Sequence, residues 1–165
     1  MQVTVHEIIE QELELVHHLS HKIWPECYRS IISEAQITYM LDTMYSLPAL
    51  REAMAQGQRF LVAYRQNQAV GYAGFEPNIA SKPECKLNKL YVLPHLHGVG
   101  IGKVLIKAVI DHSKNQRCTS LFLQVNKQNP AVAFYEKMGM YVREEAVFDI
   151  GNGFVMDDYI MQMDW

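Results

Sequence analysis

The stretch Leu90-Tyr91-Val92-Leu93-Pro94-His95-Leu96-His97-Gly98-Val99-Gly100-Ile101-Gly102-Lys103 constrains this chain more than any other. It leaves a β-rich run, breaks at Pro94, and passes three glycines at alternate positions. An amphipathic segment follows at once, with Leu105, Val109 and His112 on one stripe and Ile106 and Ile110 beside it. A helix that opens on glycines presents unpaired backbone N–H groups at its positive dipole end. Such an end takes a phosphate or pyrophosphate, and glycine lets the ligand come close to the backbone. Two familiar glycine patterns are excluded. The dinucleotide fingerprint needs GxGxxG, but position 103 is lysine. A P-loop needs Ser or Thr after Gly-Lys, but Val104 stands there and cannot ligate magnesium.

The rest of the chain reads as one domain over residues 1–165, with 49% hydrophobic and 20% charged residues. A chain of this size buries roughly 70% of its unfolded surface. The net charge of −3 argues against a nucleic-acid binder, which would be strongly basic. It is mildly compatible with a cationic small substrate. Cys27, Cys85 and Cys118 show neither CxxC nor Cys/His spacing, so no metal site or disulfide framework is expected. Reduced, partly buried thiols in a cytoplasmic protein are the simple reading. Acidic residues at 7, 10, 12 and 14 interrupt the N-terminal region, and no apolar run is long enough to span a membrane.

Along the chain, Val3 to Ile8 alternates as a first strand. Leu13, Val16, Leu19, Ile23 and Trp24 recur at helical spacing, and Pro25 is expected to end or bend that helix. Ser33 and Gln36 have capping-box spacing ahead of Ile37, Met40, Leu41 and Met44. A short helix is expected from Pro48 to near Gly57. Strands follow over 59–64, 69–75 and 86–92, then a helix from Gly102 to about Ser113 and a strand over 120–125. Asn129-Pro130 reads as N-cap and first helical residue of a helix that stops near Gly139. Strands over 140–150 and 154–163 close the chain around Gly151-Asn152-Gly153. Strands joined by short turns run antiparallel, whereas strand–glycine–helix–strand must be a parallel crossover. The expected fold is therefore α/β (α+β): a mixed, mostly antiparallel seven-stranded sheet with helices on both faces and a central parallel β-α-β unit.

Val92-Leu93-Pro94 followed by His97-Gly98-Val99-Gly100-Ile101-Gly102 resembles the acyl-CoA loop of the GNAT N-acetyltransferase superfamily. That loop carries V-x-P and then R/Q-x-x-G-x-G/A, so His97 stands where arginine or glutamine is usual. Asn126 to Gly139, with Phe134-Tyr135-Glu136-Lys137-Met138-Gly139, resembles the family's N-x-x-A-x-x-F-Y-E-K-x-G-F helix, with Met140 in place of the phenylalanine. The resemblance covers roughly residues 59–163.

It implies an acetyl-CoA-dependent N-acetyltransferase. Leu90, Tyr91 and Val92 would lie along pantetheine. The N–H groups of His97, Gly98, Val99, Gly100, Ile101, Gly102 and Lys103 would hold the pyrophosphate. Strands splayed after Leu90 and Val125 would admit the cofactor, and the Val92 N–H would serve as oxyanion donor. Either Asn126 or Asn129 would touch pantetheine. Tyr135 is the candidate general acid for the leaving thiolate. The acceptor must also lose a proton. A lysine-like amine is neutral in about one molecule per few thousand at pH 7, a cost of roughly 4–5 kcal/mol. Glu76 is the candidate base. Asp149, Asp157 and Asp158 are others, as is a water chain to Glu76 or Asn88.

Family acceptors bind between the first helices and the last hairpin. Here those segments offer Trp24, Tyr28, Tyr39, Met44, Tyr45, Phe148, Asp149 and Asp157, with Asn88 nearby. Aromatic faces and carboxylates suit a cationic amine. Ile23 to Tyr28, with the tail from Asp149 to Met161, is loosely similar to bacterial polyamine acetyltransferases, so the expected acceptor is a small amine such as a polyamine. A protein or peptide N-acetyltransferase and a non-catalytic acyl-CoA-binding module are the alternatives. The oligomeric state is left open, a homodimer among the options.

Overall fold

The computed structural model describes residues 2–165. In it the strands form one seven-stranded sheet, in the order β1-β2-β3-β4-β5-β7-β6. They are β1 (Thr4–Glu7), β2 (Arg59–Arg65), β3 (Gln68–Glu76), β4 (Glu84–Val92), β5 (Ser120–Asn126), β6 (Tyr141–Gly151) and β7 (Phe154–Asp164). Every neighbouring pair is antiparallel except β4–β5, where the long connection carries a helix. The hairpin between β6 and β7 turns on Asn152 and Gly153, both at positive φ, as a two-residue turn of the primed kind requires.

The helices are α1 (Leu13–Tyr28), α2 (Glu34–Met44), α3 (Leu47–Ala55), α4 (Ile101–Asn115) and α5 (Ala131–Lys137). Helices α2 and α3 begin on serine caps: Ser33 accepts from the Gln36 N–H at 3.1 Å and Ser46 from the Ala49 N–H at 3.3 Å. The Gln36 side chain does not complete a capping box; it reaches instead to the Val155 carbonyl at 3.1 Å. Pro25 does not end α1. The proline and His21, whose carbonyl it leaves without an N–H partner, both lie on the exposed side of the helix. Tyr28, one turn on, is buried and holds the last turn down.

Alternate strand residues feed two cores. On one face Leu61, Ala63, Ala73 and Phe75 meet Ile101, Leu105, Ile106 and Val109 of α4, and Tyr135 of α5. On the other, Phe60, Val62 and Tyr72 meet Val16, Ile23 and Trp24 of α1, Ile37 and Met40 of α2, and Leu50 of α3. Each fully buried aliphatic side chain contributes about 1.5–3 kcal/mol. No helix among the described residues is long and apolar enough to cross a membrane.

Candidate active site

The parallel pairing of β4 with β5 stops at Leu87 and Leu123. Asn88 is the reason. In the β3–β4 ladder Gly74 pairs with Lys89 but Phe75 with Leu87, so Asn88 is an extra, bulged residue. A bulge bends its strand and interrupts alternation. Here it swings β4 away from β5 about three residues before Leu90, earlier than the sequence pattern implies. Strand β5 stays paired with β7 as far as Asn126 and Asp158. The gap opens into a cavity of about 1320 Å³ that runs from the α4 N-terminus to beneath α1, α2 and α3.

Backbone donors line the gap. The Leu93 N–H bonds to the Val70 carbonyl at 2.9 Å. In an antiparallel ladder alternate N–H groups face the same neighbour, so those of Leu90 and Val92 face the gap instead. The Val92 carbonyl also points there, and the His97 ring takes it, Nε2 to oxygen at 2.9 Å. His97 thus ties the loop to the end of β4 by its side chain. Beyond it Gly98 and Gly100 hold φ of +83° and +93°, and no side chain caps α4. The first intrahelical bond runs from the Val104 N–H to the Gly100 carbonyl, which leaves the N–H groups of Ile101, Gly102 and Lys103 unpaired within the helix. Gly102 serves a different purpose: a Cβ there would sit 3.4 Å from the Phe134 ring, so it sets α4 against α5.

Aromatic residues form the opposite wall. Trp24 stacks on Tyr28 at 4.2 Å between ring centroids, and both lie near Tyr91. The Tyr28 hydroxyl meets that of Tyr91 at 3.0 Å and accepts from Asn129 Nδ2 at 3.4 Å. The two asparagines differ. Asn129 spends its amide nitrogen on Tyr28 and its oxygen on the Ala131 N–H, at 2.9 Å, although Pro130, not Asn129, holds the N-cap position of α5. Asn126 uses only its oxygen, which accepts from the Gln128 N–H at 2.9 Å. Tyr135 is buried, lines the cavity, and is held far above the ordinary phenol range by that burial.

Of the four expected carboxylates Asp158 lines the cavity and the other three do not. Glu76 lies outside the cavity, its side chain beside Gly57 at the far end of β3. Asp149 is exposed and accepts from the Gly151 N–H at 2.9 Å, and Asp157 is exposed and paired with Lys127 at 3.0 Å. Tyr39 turns away as well, donating to the Ile150 carbonyl at 2.8 Å. Trp24, Tyr28, Met44, Tyr45, Asn88 and Phe148 do line the cavity.

Two charged residues are buried at the cavity: Asp158, one of the candidate bases, and Lys89, which sequence reasoning missed. Asp158 is 4% exposed and lines the cavity; burial, and secondarily Asp157, push its carboxyl up to about 6. Lys89 is 7% exposed, and its Nζ donates to Gln58 Oε1 at 2.7 Å. Burial, and secondarily Lys86, bring its ammonium down to about 8. The alternation Cys85, Leu87, Lys89, Tyr91 was the available signal for Lys89, and Met156, Asp158, Ile160 for Asp158. Among the described residues three buried polar atoms lack a partner: Trp24 Nε1, Asn88 Nδ2 and Asp158 Oδ1. All three residues line this cavity. Since buried polar atoms are almost always bonded, the cavity has the polar deficit of a ligand site.

The model of the acetyltransferase (GNAT) family matches residues 16–140. The chain is 33% identical over 86 residues to a [ribosomal protein bS18]-alanine N-acetyltransferase of Haemophilus influenzae, a match spanning 51% of this chain and 57% of that protein. It is 30% identical over 128 residues to a 5-NmdU N-acetyltransferase of Pseudomonas phage PaMx11, covering 76% and 89%. The crystal structure of PaiA N-acetyltransferase from Thermoplasma acidophilum in complex with coenzyme A is similar over the full length of both chains, with a TM-score of 0.84 at 22% identity.

Proposed function

The chain belongs to the acetyltransferase (GNAT) family, and we propose that its acceptor is a small primary amine bound as a cation, of the diamine or polyamine class. As a family member it is an acetyl-CoA-dependent N-acetyltransferase acting on amines. When bound, acetyl-CoA supplies an activated acyl thioester. The uncapped start of α4, with open space where a Cβ at Gly98 or Gly100 would point, suits a pyrophosphate. The Leu90 and Val92 N–H groups suit an amide-bearing arm in the gap, and the Val92 N–H suits the charge that develops on an acyl oxygen. The free amide nitrogen of Asn126 makes it the better candidate for a contact to that arm.

Tyr135 is assigned the proton for the leaving sulfur. Burial keeps its phenol protonated at every physiological pH, as a donor to a thiolate must be. The observation that carries the acceptor reading is the cavity beneath α1–α3. It is walled by Trp24, Tyr28, Tyr45 and Tyr91, with a single buried carboxylate. Aromatic faces and a desolvated carboxylate hold an ammonium by cation–π attraction and charge pairing.

The test is thiol release from acetyl-CoA with a panel of putrescine, spermidine, amino acids, aminoglycosides and a peptide bearing a free N-terminus. Diamines and polyamines should turn over with the highest kcat/KM. A peptide as sole acceptor would replace the small-amine reading. Tyr135→Phe should lower kcat about 10²-fold while leaving coenzyme A affinity within a few-fold; unchanged turnover would remove Tyr135 from its role.

A further inference from the structure

We infer that Asp158 is the residue that docks the acceptor's ammonium and takes its proton before attack. The inference rests on the acetyl-transfer reading and adds the residue on which the acceptor is activated. Three carboxylates line the cavity, Glu26, Glu52 and Asp158, and only Asp158 is buried. Its Oδ1 has no hydrogen-bond partner, and no Lys, Arg or His among the described residues lies within 4.0 Å of it. A desolvated carboxylate left without a donor is costly, and a cationic ligand removes the cost.

Its place in the sheet adds a second, independent reason. Asp158 pairs with Asn126, three residues beyond the last parallel pair at Leu123, so it stands on β7 one strand beyond the gap, with β5 between. Its side chain lines the same cavity from the α1–α3 side of the sheet, the side on which Met156, two residues back, packs. The surroundings polarise the cavity. Lys86 and Lys89 line the β4 wall, so an entering ammonium is repelled there and drawn to β7.

The groups around Asp158 are few. Tyr28 of α1 lies close enough for the carboxylate to push its phenol further up, and Tyr135 and Tyr91 face the same cavity from α5 and β4. From β6 its partner is the uncharged Ala146. Asp157 is adjacent, and Lys127, next in sequence to its β5 partner Asn126, spends its ammonium on Asp157 and Glu145, at 3.0 Å each. A carboxyl that titrates near 6 is ionised at pH 7 yet more basic than an ordinary aspartate.

In the step assigned here one N–H bond of the ammonium breaks. Its electron pair stays on nitrogen and its proton passes to Oδ1. The neutral amine then forms the C–N bond as the C–S bond of the thioester breaks, and a second N–H proton ends on sulfur. Asp158 returns its proton to water, so one proton is released per turnover.

Asp158→Asn, with the best amine from the panel, should lose 10²- to 10³-fold in kcat/KM and lose the acid limb near pH 6 that the wild type shows. By calorimetry it should bind coenzyme A within twofold of the wild type, whereas the coenzyme A complex should bind the amine at least tenfold more weakly. Its unfolding midpoint reports folding, and relief of a buried charge should leave that midpoint equal or higher. Asp158→Glu should keep the acid limb with a reduced kcat, which a merely structural role would not produce. An Asp158→Asn enzyme that keeps amine affinity and the acid limb overturns the inference and leaves acetyl transfer standing. A folded wild type that binds coenzyme A but neither binds nor acetylates any amine overturns both.

Discussion

Lys89 is a buried ammonium with no carboxylate beside it, and several residues are arranged to keep it there. The Asn88 bulge turns it from the α4 face, where the Cys85–Leu87 alternation would have sent it, to the α1–α3 face. Gly74 leaves the room: a Cβ there would lie 2.6 Å from Gln58 Oε1. Gln58 accepts one hydrogen bond, and the Tyr45 and Phe60 rings face the charge at 5.5 Å and 5.6 Å. Its ammonium, ordinarily near 10.5, comes down to about 8 on folding, so above pH 8 the unfolded chain holds the proton more tightly. Stability from this group therefore rises with pH from 8 towards 10.5 and is flat below 8. Buried Cys85, pushed up to about 12, and the buried tyrosines pull the other way at alkaline pH. The clean measurement is thus a difference. Between pH 8 and 10 the wild type should gain about 2 kcal/mol relative to Lys89→Met in denaturant unfolding. Parallel stability curves would mean that the ammonium is not desolvated. At this scale the sequence showed which residues carry chemistry better than where they point. Trp24, Tyr28, Asn126 and Tyr135 share the cavity, but Glu76, Asp149 and Asp157 do not. Adjacent strand residues point to opposite faces, so the Met156, Asp158, Ile160 alternation separates Asp158 from Asp157, but that this set faces the cavity followed only from the register of β7.

Most elements were legible because their signals are local. Serine caps, the Asn-Gly turn, the glycine stop at 139 and the period of α4 each act within a few residues. The β4 bulge was not, since it depends on how two strands meet. The persistence of α1 past Pro25 was hidden for a similar reason: burial of Tyr28 against the sheet outweighs one missing N–H. The glycine loop ahead of α4 is where sequence and element agree most closely, and it separates two causes of ligand affinity. Nothing lies within 4 Å of a Cβ built on Gly100, so Gly100→Ala meets no steric block and pays only for a positive φ, about 1–2 kcal/mol. Gly100→Glu pays the same and sets a carboxylate at the helix N-terminus, where a pyrophosphate would have to bind. Both variants should fold. Coenzyme A affinity should fall modestly for Ala and at least tenfold further for Glu, with the excess shrinking in high salt. Equal losses would place the phosphates elsewhere.

The sheet separates two cores yet belongs to both. Leu61 and Ala63 pack on α4 while Phe60 and Val62, from the same strand, pack beneath α1 and α3. Unfolding either face would leave one side of each central strand in water, so the faces should be lost together. Each face carries one tryptophan. Trp24 is 2% exposed among the α1–α3 aromatics, and Trp165 donates its indole N–H to the Cys118 carbonyl at 2.8 Å on the α4 side. Trp165→Phe leaves Trp24 as the sole indole, and Trp24→Phe leaves Trp165. In each variant the fluorescence midpoint should coincide with that variant's own far-UV circular dichroism midpoint, whatever the absolute stability lost by truncating Trp24. The cavity adds a second arm to the experiment, because it is lined from α1, β4, β5, α4 and α5 at once. Coenzyme A at about 100 times its dissociation constant adds about 2.7 kcal/mol to a folded state that alone binds it. For a chain of this length that raises the midpoint by about 5–10 °C. Both indoles should report the same rise. A rise confined to Trp165 would show that the α4 face, with its glycine loop, unfolds separately from the face that holds the acceptor cavity.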